Sequence, residues 1–331
     1  MTTYKGIRGL TIRTIAGDAS PLIAGDIWYN SSSKKIRGAK KPAGSWASSP
    51  AVNTGRHGSG TAGQTTEACL IAGGIGGQQL NEVWDGSSWS EAGDLVTKKH
   101  YAAAFGTSTA AIIAAGTQAG LPDPNHVATA QEWDNSSWTE VGDLTTGARS
   151  HLSSAGTSST SGMIFGGGGW TSSPLDTIFA HAETWNGASW TEGPNMNTAK
   201  HGSGGTGTAT AALCITGGPP SSPTTTVELY NGSAWSEQAD LNEGRYQGGC
   251  GGTSTSAVHF GGVTPGTSAN TEQYDGTSWT EVANLPAAKH NMGSVGTSSG
   301  NALSISGYTT ANVTTVEEWS HTLAAVTFTS S

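Results

Sequence analysis

Residues 84–89 read Trp-Asp-Gly-Ser-Ser-Trp, two aromatics five positions apart around an Asp-Gly. Asp-Gly readily takes the positive φ angles of a tight hairpin turn, so the segment reads as two short antiparallel strands joined by a loop. The arrangement returns at Trp133/Trp138, Trp185/Trp190, Tyr230/Trp235 and Tyr274/Trp279, with DNSS, NGAS, NGSA and DGTS between the partners. A Glu stands two residues before the first aromatic at Glu82, Glu183, Glu228 and Glu272, and again at Glu317 before Trp319, while Gln131 replaces it once. A second Glu follows the later aromatic by two, at Glu91, Glu140, Glu192, Glu237 and Glu281. Alternation of this kind is that of a strand.

Working outward, each unit opens on a cation followed seven residues later by Gly: Arg56/Gly63, Lys99/Gly106, Arg149/Gly156, Lys200/Gly207, Arg245/Gly252 and Lys289/Gly296. A short apolar run ending in Gly comes next (LIAGG, IIAAG, MIFGG, LCITGG, VHFGG, LSISG). Each unit therefore holds four short strands, a to d, and no helical periodicity interrupts them. The last unit has Trp319 but no Trp five residues on. Its missing strand stands at the front of the array, around Trp46, which precedes Arg56 by ten residues as Trp89 precedes Lys99. The pattern predicts an all-β fold: a six-bladed β-propeller over residues 45–331, its repeats ending near 323, closed by an N-terminal strand and preceded by a short hairpin arm over 1–44. Closure removes the open edges of a linear array.

The composition fits. The chain has 331 residues, 49 of them Gly, and only 12% are charged, yet 12 Trp argue against disorder. No apolar run approaches the roughly 18 residues of a membrane span, and the N-terminus has no apolar stretch of signal-peptide length, so membrane insertion and classical export are not expected. For that reason the glycosylation sequons at Asn30, Asn135, Asn231 and Asn312 carry little weight. Cys69, Cys214 and Cys250 have no metal-ligand spacing and read as small buried residues. No cofactor or metal is expected. Residues 1–44 carry eight Lys/Arg and two Asp (+6), whereas 45–331 carry seven Lys/Arg and 22 Asp/Glu (−15). An acidic body disfavours nucleic acid as a partner.

His follows the repeat cation at His57, His100, His201 and His290, with Ser150 and Tyr246 at the other two positions. These residues are expected at one mouth of the central channel. There Arg56, Lys99, Arg149, Lys200, Arg245 and Lys289 either form an exposed anion or glycan site or pair with strand carboxylates, for which Glu91 and its equivalents are available. The connections between strands b and c are longest at 117–130 and 168–181. Trp170, Leu175, Ile178 and Phe179 are more apolar than loop lengthening requires, and they suit either stacking on a ligand or packing on their own blade.

The Gly pair, Glu-x-aromatic and Trp pattern resembles the kelch repeat across most of the chain. That resemblance implies the propeller; because kelch propellers include a copper oxidase, it leaves a galactose-oxidase-like enzyme or a cellular kelch adaptor as alternatives. Such an oxidase requires a Tyr/Cys/His constellation at the channel, and Tyr246 and Cys250 share one strand. Residues 24–40, AGDIWYNSSSKKIRGAK, read as a hairpin. The Gly-Asp-x-Trp-Tyr-Asn phrase is similar to segments of fibre and appendage proteins of tailed, especially marine, bacteriophages. This second resemblance implies a non-enzymatic virion protein, a tail appendage or capsid-surface protein located in the particle and oligomeric there. Its partners would be other virion proteins, bound through Ile27, Trp28, Tyr29 and Ile36, and a host-surface glycan or receptor at the propeller face.

Overall fold

Trp84 and Trp89 stand directly opposite each other on adjacent antiparallel strands, with ring centroids 5.4 Å apart. The intervening turn is held by the Asp85 carboxylate, which accepts the amide hydrogens of Ser87 and Ser88 at 2.8 Å each. Asp134, Asn186, Asn231 and Asp275 hold the equivalent turns in the same way. Short polar side chains that bond their own backbone two residues on are suited to such positions.

The computed structural model describes residues 12–20, 26–40, 44–121, 125–169, 177–219, 222–321 and 324–327. Among them there is no helix, and the strands form eight sheets, seven of four strands and one of two. The chain divides into two compact units, Ser45–Ser320 and Met1–Gly44 with His321–Ser331.

The larger unit is β-propeller-like. Its first sheet orders Gly60–Thr65, Ala68–Ala72, Asn81–Trp84 and Trp89–Ala92 as consecutive antiparallel strands, a to d. Four further sheets repeat this order. In the sixth, Gly293–Ser298, Asn301–Ile305 and Val316–Ser320 are joined by Ser45–Ser49, with Trp46 opposite Trp319. The apolar core lies between sheets. One cluster joins Leu70 and Leu95 of the first repeat to Ile113 and Trp133 of the second, and another joins Ile71 and Trp84 of the first to Leu303 and Val316 of the sixth. Since each sheet buries both faces, its b strand is continuously apolar, as in Ala111–Ala114, which is buried throughout.

Hydrogen bonds also link one sheet to the next. The Gly closing each strand b donates its amide to the carbonyl of the next repeat's cation: Gly74 to Lys99 (2.8 Å), Gly116 to Arg149 (2.8 Å), Gly167 to Lys200 (2.8 Å), Gly217 to Arg245 (3.0 Å), Gly262 to Lys289 (2.9 Å) and Gly307 to Arg56 (2.9 Å). All six glycines have positive φ, and a Cβ at Gly116 would lie 2.5 Å from the His100 carbonyl oxygen, so a side chain is excluded on two counts.

The smaller unit is a mixed four-stranded sheet. Ile27–Asn30 and Lys35–Lys40 are antiparallel, Arg13–Ile15 runs parallel to the first of them, and Ala324–Thr327 pairs with the second. Ala324–Thr327 lies beyond the last repeat yet within the 45–331 expected for the propeller, and its pairing is here. Trp28 is 1% exposed, packed with Ala19 and Ile15, and its indole N–H donates to the Gly17 carbonyl at 3.3 Å. Trp28 is thus the core of its own unit, not a free docking residue. Ile27 and Ile36, each 43% exposed, and half-buried Tyr29 lie on the opposite face, where register places Tyr29 across from Ile36.

Candidate functional site

The six repeat cations are buried, none more than 1% exposed. Arg56 pairs with Glu82, Arg149 with Glu183 (3.2 Å), Lys200 with Glu228 (3.8 Å), Arg245 with Glu272 (3.0 Å) and Lys289 with Glu317. The exposed cationic ring that the spacing allowed is therefore not formed. The carboxylates used also differ from those expected. Glu91 lies opposite Glu82 on the same face but one strand further out, on the outer edge, where water solvates it.

The inner carboxylate has a second task. Glu82 accepts the backbone amides of Asn53 (2.7 Å) and Thr54 (3.2 Å), in the link leading into strand a. Glu183 does the same for Thr145 (2.7 Å) and Thr146 (3.3 Å), and Glu228 for Asn197 (2.7 Å) and Thr198 (3.1 Å). One side chain thus neutralises a buried cation and ties down a connection, an architectural role.

The second repeat departs from this. With Gln131 in place of Glu, Lys99 donates to the carbonyls of Ala115 (3.3 Å) and Thr129 (2.7 Å) and to the Thr129 hydroxyl (2.8 Å). Burial brings its ammonium down to about 8, opposed only by Asp143 and Glu140. Gln131→Glu would supply the carboxylate found in the other five repeats. It is expected to stabilise the fold by about 1.5–3 kcal/mol, the range for a hydrogen bond to a charged group, measured by urea unfolding at pH 7.

Two residues beyond each cation the chain forms a collar. Gly58, Tyr101, His151, Gly202, Gln247 and Asn291 all have φ between 51° and 63°. Each donates its amide to the carbonyl of the one before: Tyr101 to Gly58 (2.6 Å), His151 to Tyr101 (2.8 Å), Gly202 to His151 (3.0 Å), Gln247 to Gly202 (2.6 Å), Asn291 to Gln247 (2.8 Å) and Gly58 to Asn291 (2.9 Å). The six bonds form a complete cycle. Beyond it, a cavity of about 320 Å³ is lined by the a strands of all six sheets, largely Gly, Ala, Ser and Thr, and by none of the six cations.

Imidazoles and phenols gather at the collar. Tyr101 stacks on His151 (3.9 Å, 18°), and His151 contacts His201 (4.3 Å, 34°). His57 Nδ1 lies 2.6 Å from Asn312 Oδ1 and Nε2 lies 3.2 Å from the Tyr101 hydroxyl. His290 and His57 both border Tyr308, at 5.4 and 5.0 Å. His100 and Tyr246 are half-buried, and their backbones bridge to Thr117 and Val263. His151 is the residue that repeat counting missed. Ser150 fills the His position in that repeat, and the collar positions share no residue type that alignment of the repeats would reveal.

Of the long-loop residues, Phe179 is half-buried beside His181 (5.3 Å) and Ile178 pairs with Gly168, while Trp170 and Leu175 lie outside the described residues. The Cys250 thiol, pushed up to about 12 by burial, donates to the Gly205 carbonyl at 3.1 Å.

Burial lowers the His201 imidazole to about 4, with His126 reinforcing, and holds His151 well below its ordinary value with His201, His126 and His57 reinforcing. The folded pKa values lie below the unfolded ones, so as pH falls through 6.5 the unfolded chain takes up protons first and stability falls. His201 alone removes roughly 2–3 kcal/mol by pH 4.5, at 1.36 kcal/mol per unit. The urea midpoint should be level above pH 7 and drop between 6.5 and 4.5; a flat profile there would contradict neutral buried imidazoles.

No protein-family model matches this chain, and no curated protein is similar to it.

Proposed function

We propose that residues 45–320 are a six-bladed kelch-like β-propeller closed by Ser45–Ser49, and that the chain is a non-enzymatic structural protein of a bacteriophage virion. The two six-membered hydrogen-bond cycles, in which Gly307 joins Arg56 and Gly58 joins Asn291, support the closed propeller. The observation carrying the virion reading is the Gly25-Asp-Ile-Trp-Tyr-Asn30 phrase, whose last four residues form one strand of the basic small unit. In this reading the small unit attaches the protein to a tail appendage or capsid surface, and the propeller displays a face for host-surface glycan or protein.

Attachment uses the apolar face that Trp28 does not share. Ile27→Asp with Ile36→Asp, expressed during particle assembly, should give folded protein absent from particles. Normal incorporation would overturn attachment through this face. Stoichiometric copper in the purified protein would overturn the non-enzymatic reading.

A further inference from the structure

The collar carries a site of different chemistry from the cations beside it. A recess of about 100 Å³ is lined by Tyr101, His151, Gln247 and Asn291, with the Ser59 and Ser203 residues below them. Polar and aromatic side chains share its lining with Ala102, Leu152 and Met292. The Asn291 amide donates to Gln247 Oε1 at 3.2 Å, which leaves the Gln247 NH₂ and the Asn291 carbonyl oxygen for another partner. His201 contacts His151 but does not itself line the recess; His151 does. An NH₂ group donates and a carbonyl oxygen accepts, and a hydroxyl group answers both.

Charge narrows the ligand class. Six of the seven cations in 45–320 are buried and engaged, leaving Lys98 as the exception. Burial, with neighbouring charges reinforcing, lowers the His100, His151, His201 and His290 imidazoles, so these four are uncharged at neutral pH. An anion would find no counter-charge here, and an apolar ligand would strand the Gln247 and Asn291 amides. We infer that the collar recess binds a neutral, hydroxyl-rich ligand, a saccharide, with Tyr101 and His151 as its aromatic wall and Gln247 and Asn291 as its hydrogen-bonding groups. This rests on the propeller reading above and names the ligand class of its displayed face.

The probes are glucose, galactose and N-acetylglucosamine, each at about 50 mM, enough to populate a site of millimolar affinity. They would be titrated into the full chain with ¹³C-labelled histidine at pH 7.5. At least one should shift the His151 and His201 ring resonances in a saturable way. The chain's own repeats supply variants that respect the positive φ. Tyr101→Asn places at 101 the residue that stands at 291, and Gln247→Gly places at 247 the residue at 58 and 202. Each should weaken binding at least tenfold while shifting the melting temperature little, and the second serves if the first fails to fold. No shift with any of the sugars, shifts produced by sulfate but not by sugars, or full affinity in both variants would overturn the inference. Sugar binding by a chain that never enters particles would leave this inference standing and sink the virion reading. Incorporation without sugar binding would do the reverse.

Discussion

Deleting residues 1–52 should cost the remaining chain at least about 5 kcal/mol, whereas deleting 1–43 should leave the 45–320 unit close to its full stability. The first truncation removes the d strand Ser45–Ser49 from the sixth sheet; the second spares it. Trp46 packs edge-on against Phe260 at 4.8 Å and against Trp319 at 5.5 Å, and its indole N–H donates to the Thr271 hydroxyl at 3.2 Å. Val52, 3% exposed, belongs to the core shared by the sixth and first sheets, and its amide donates to the Thr314 carbonyl at 3.0 Å. The Pro50 carbonyl accepts the Trp89 indole N–H at 3.1 Å. Each large apolar side chain contributes about 1.5–3 kcal/mol and each hydrogen bond about 0.5–1.5, against a total of roughly 5–15 for a domain. The bared edge of Val316–Ser320 is also a template for pairing with other chains. The shorter product should therefore be unfolded or aggregating in thermal melts. Equal melting of the two truncations would rule out closure by this strand.

That strand was legible because its signal is arithmetic. Trp46 stands ten residues before Arg56, as Trp89 stands before Lys99, and the last unit lacks its second aromatic. The hairpin turns were legible because Asp-Gly and Asn-Gly have few other uses. The partner of each cation was not. Glu82 and Glu91 are directly opposed across the c and d strands, so a period of two puts both on one face. What separates them is distance from the edge, which periodicity does not encode. The collar was hidden for another reason. Its positions are defined by backbone conformation and by main-chain bonds, and Tyr, His, Gln and Asn serve there beside two Gly. The strand Ala324–Thr327 has no turn signal linking it to Lys35–Lys40, some 285 residues earlier. The arm consequently read as a hairpin when it is half of a sheet, and Trp28 looked like a docking residue because the sequence does not show Ala19 covering it.

The choice of carboxylate leads to the second large effect. Glu82→Leu should cost at least about 3–5 kcal/mol, the range for removing one partner of a buried ion pair. It leaves the Arg56 guanidinium, with no exposed surface, holding only the Leu80 carbonyl at 2.9 Å. It also unpairs the amides of Asn53 and Thr54, a smaller penalty because Asn53 is exposed and Thr54 half-buried. Glu82→Gln should cost less, because Gln131 fills the same place in the second repeat, where its side-chain oxygen accepts the Val96 amide at 2.9 Å. The decisive variant is the double substitution Arg56→Met with Glu82→Leu. Replacing both ions with apolar groups removes the buried charge, so it should recover most of the loss from Glu82→Leu and retain only the cost of the two amides. Urea unfolding of the single and double variants measures the coupling directly. If the double variant were as unstable as the sum of its singles, Arg56 and Glu82 would be acting independently. The carboxylate's main task would then be the connection into strand a, with the cation held by uncharged oxygens alone, as Lys99 is by two carbonyls and the Thr129 hydroxyl.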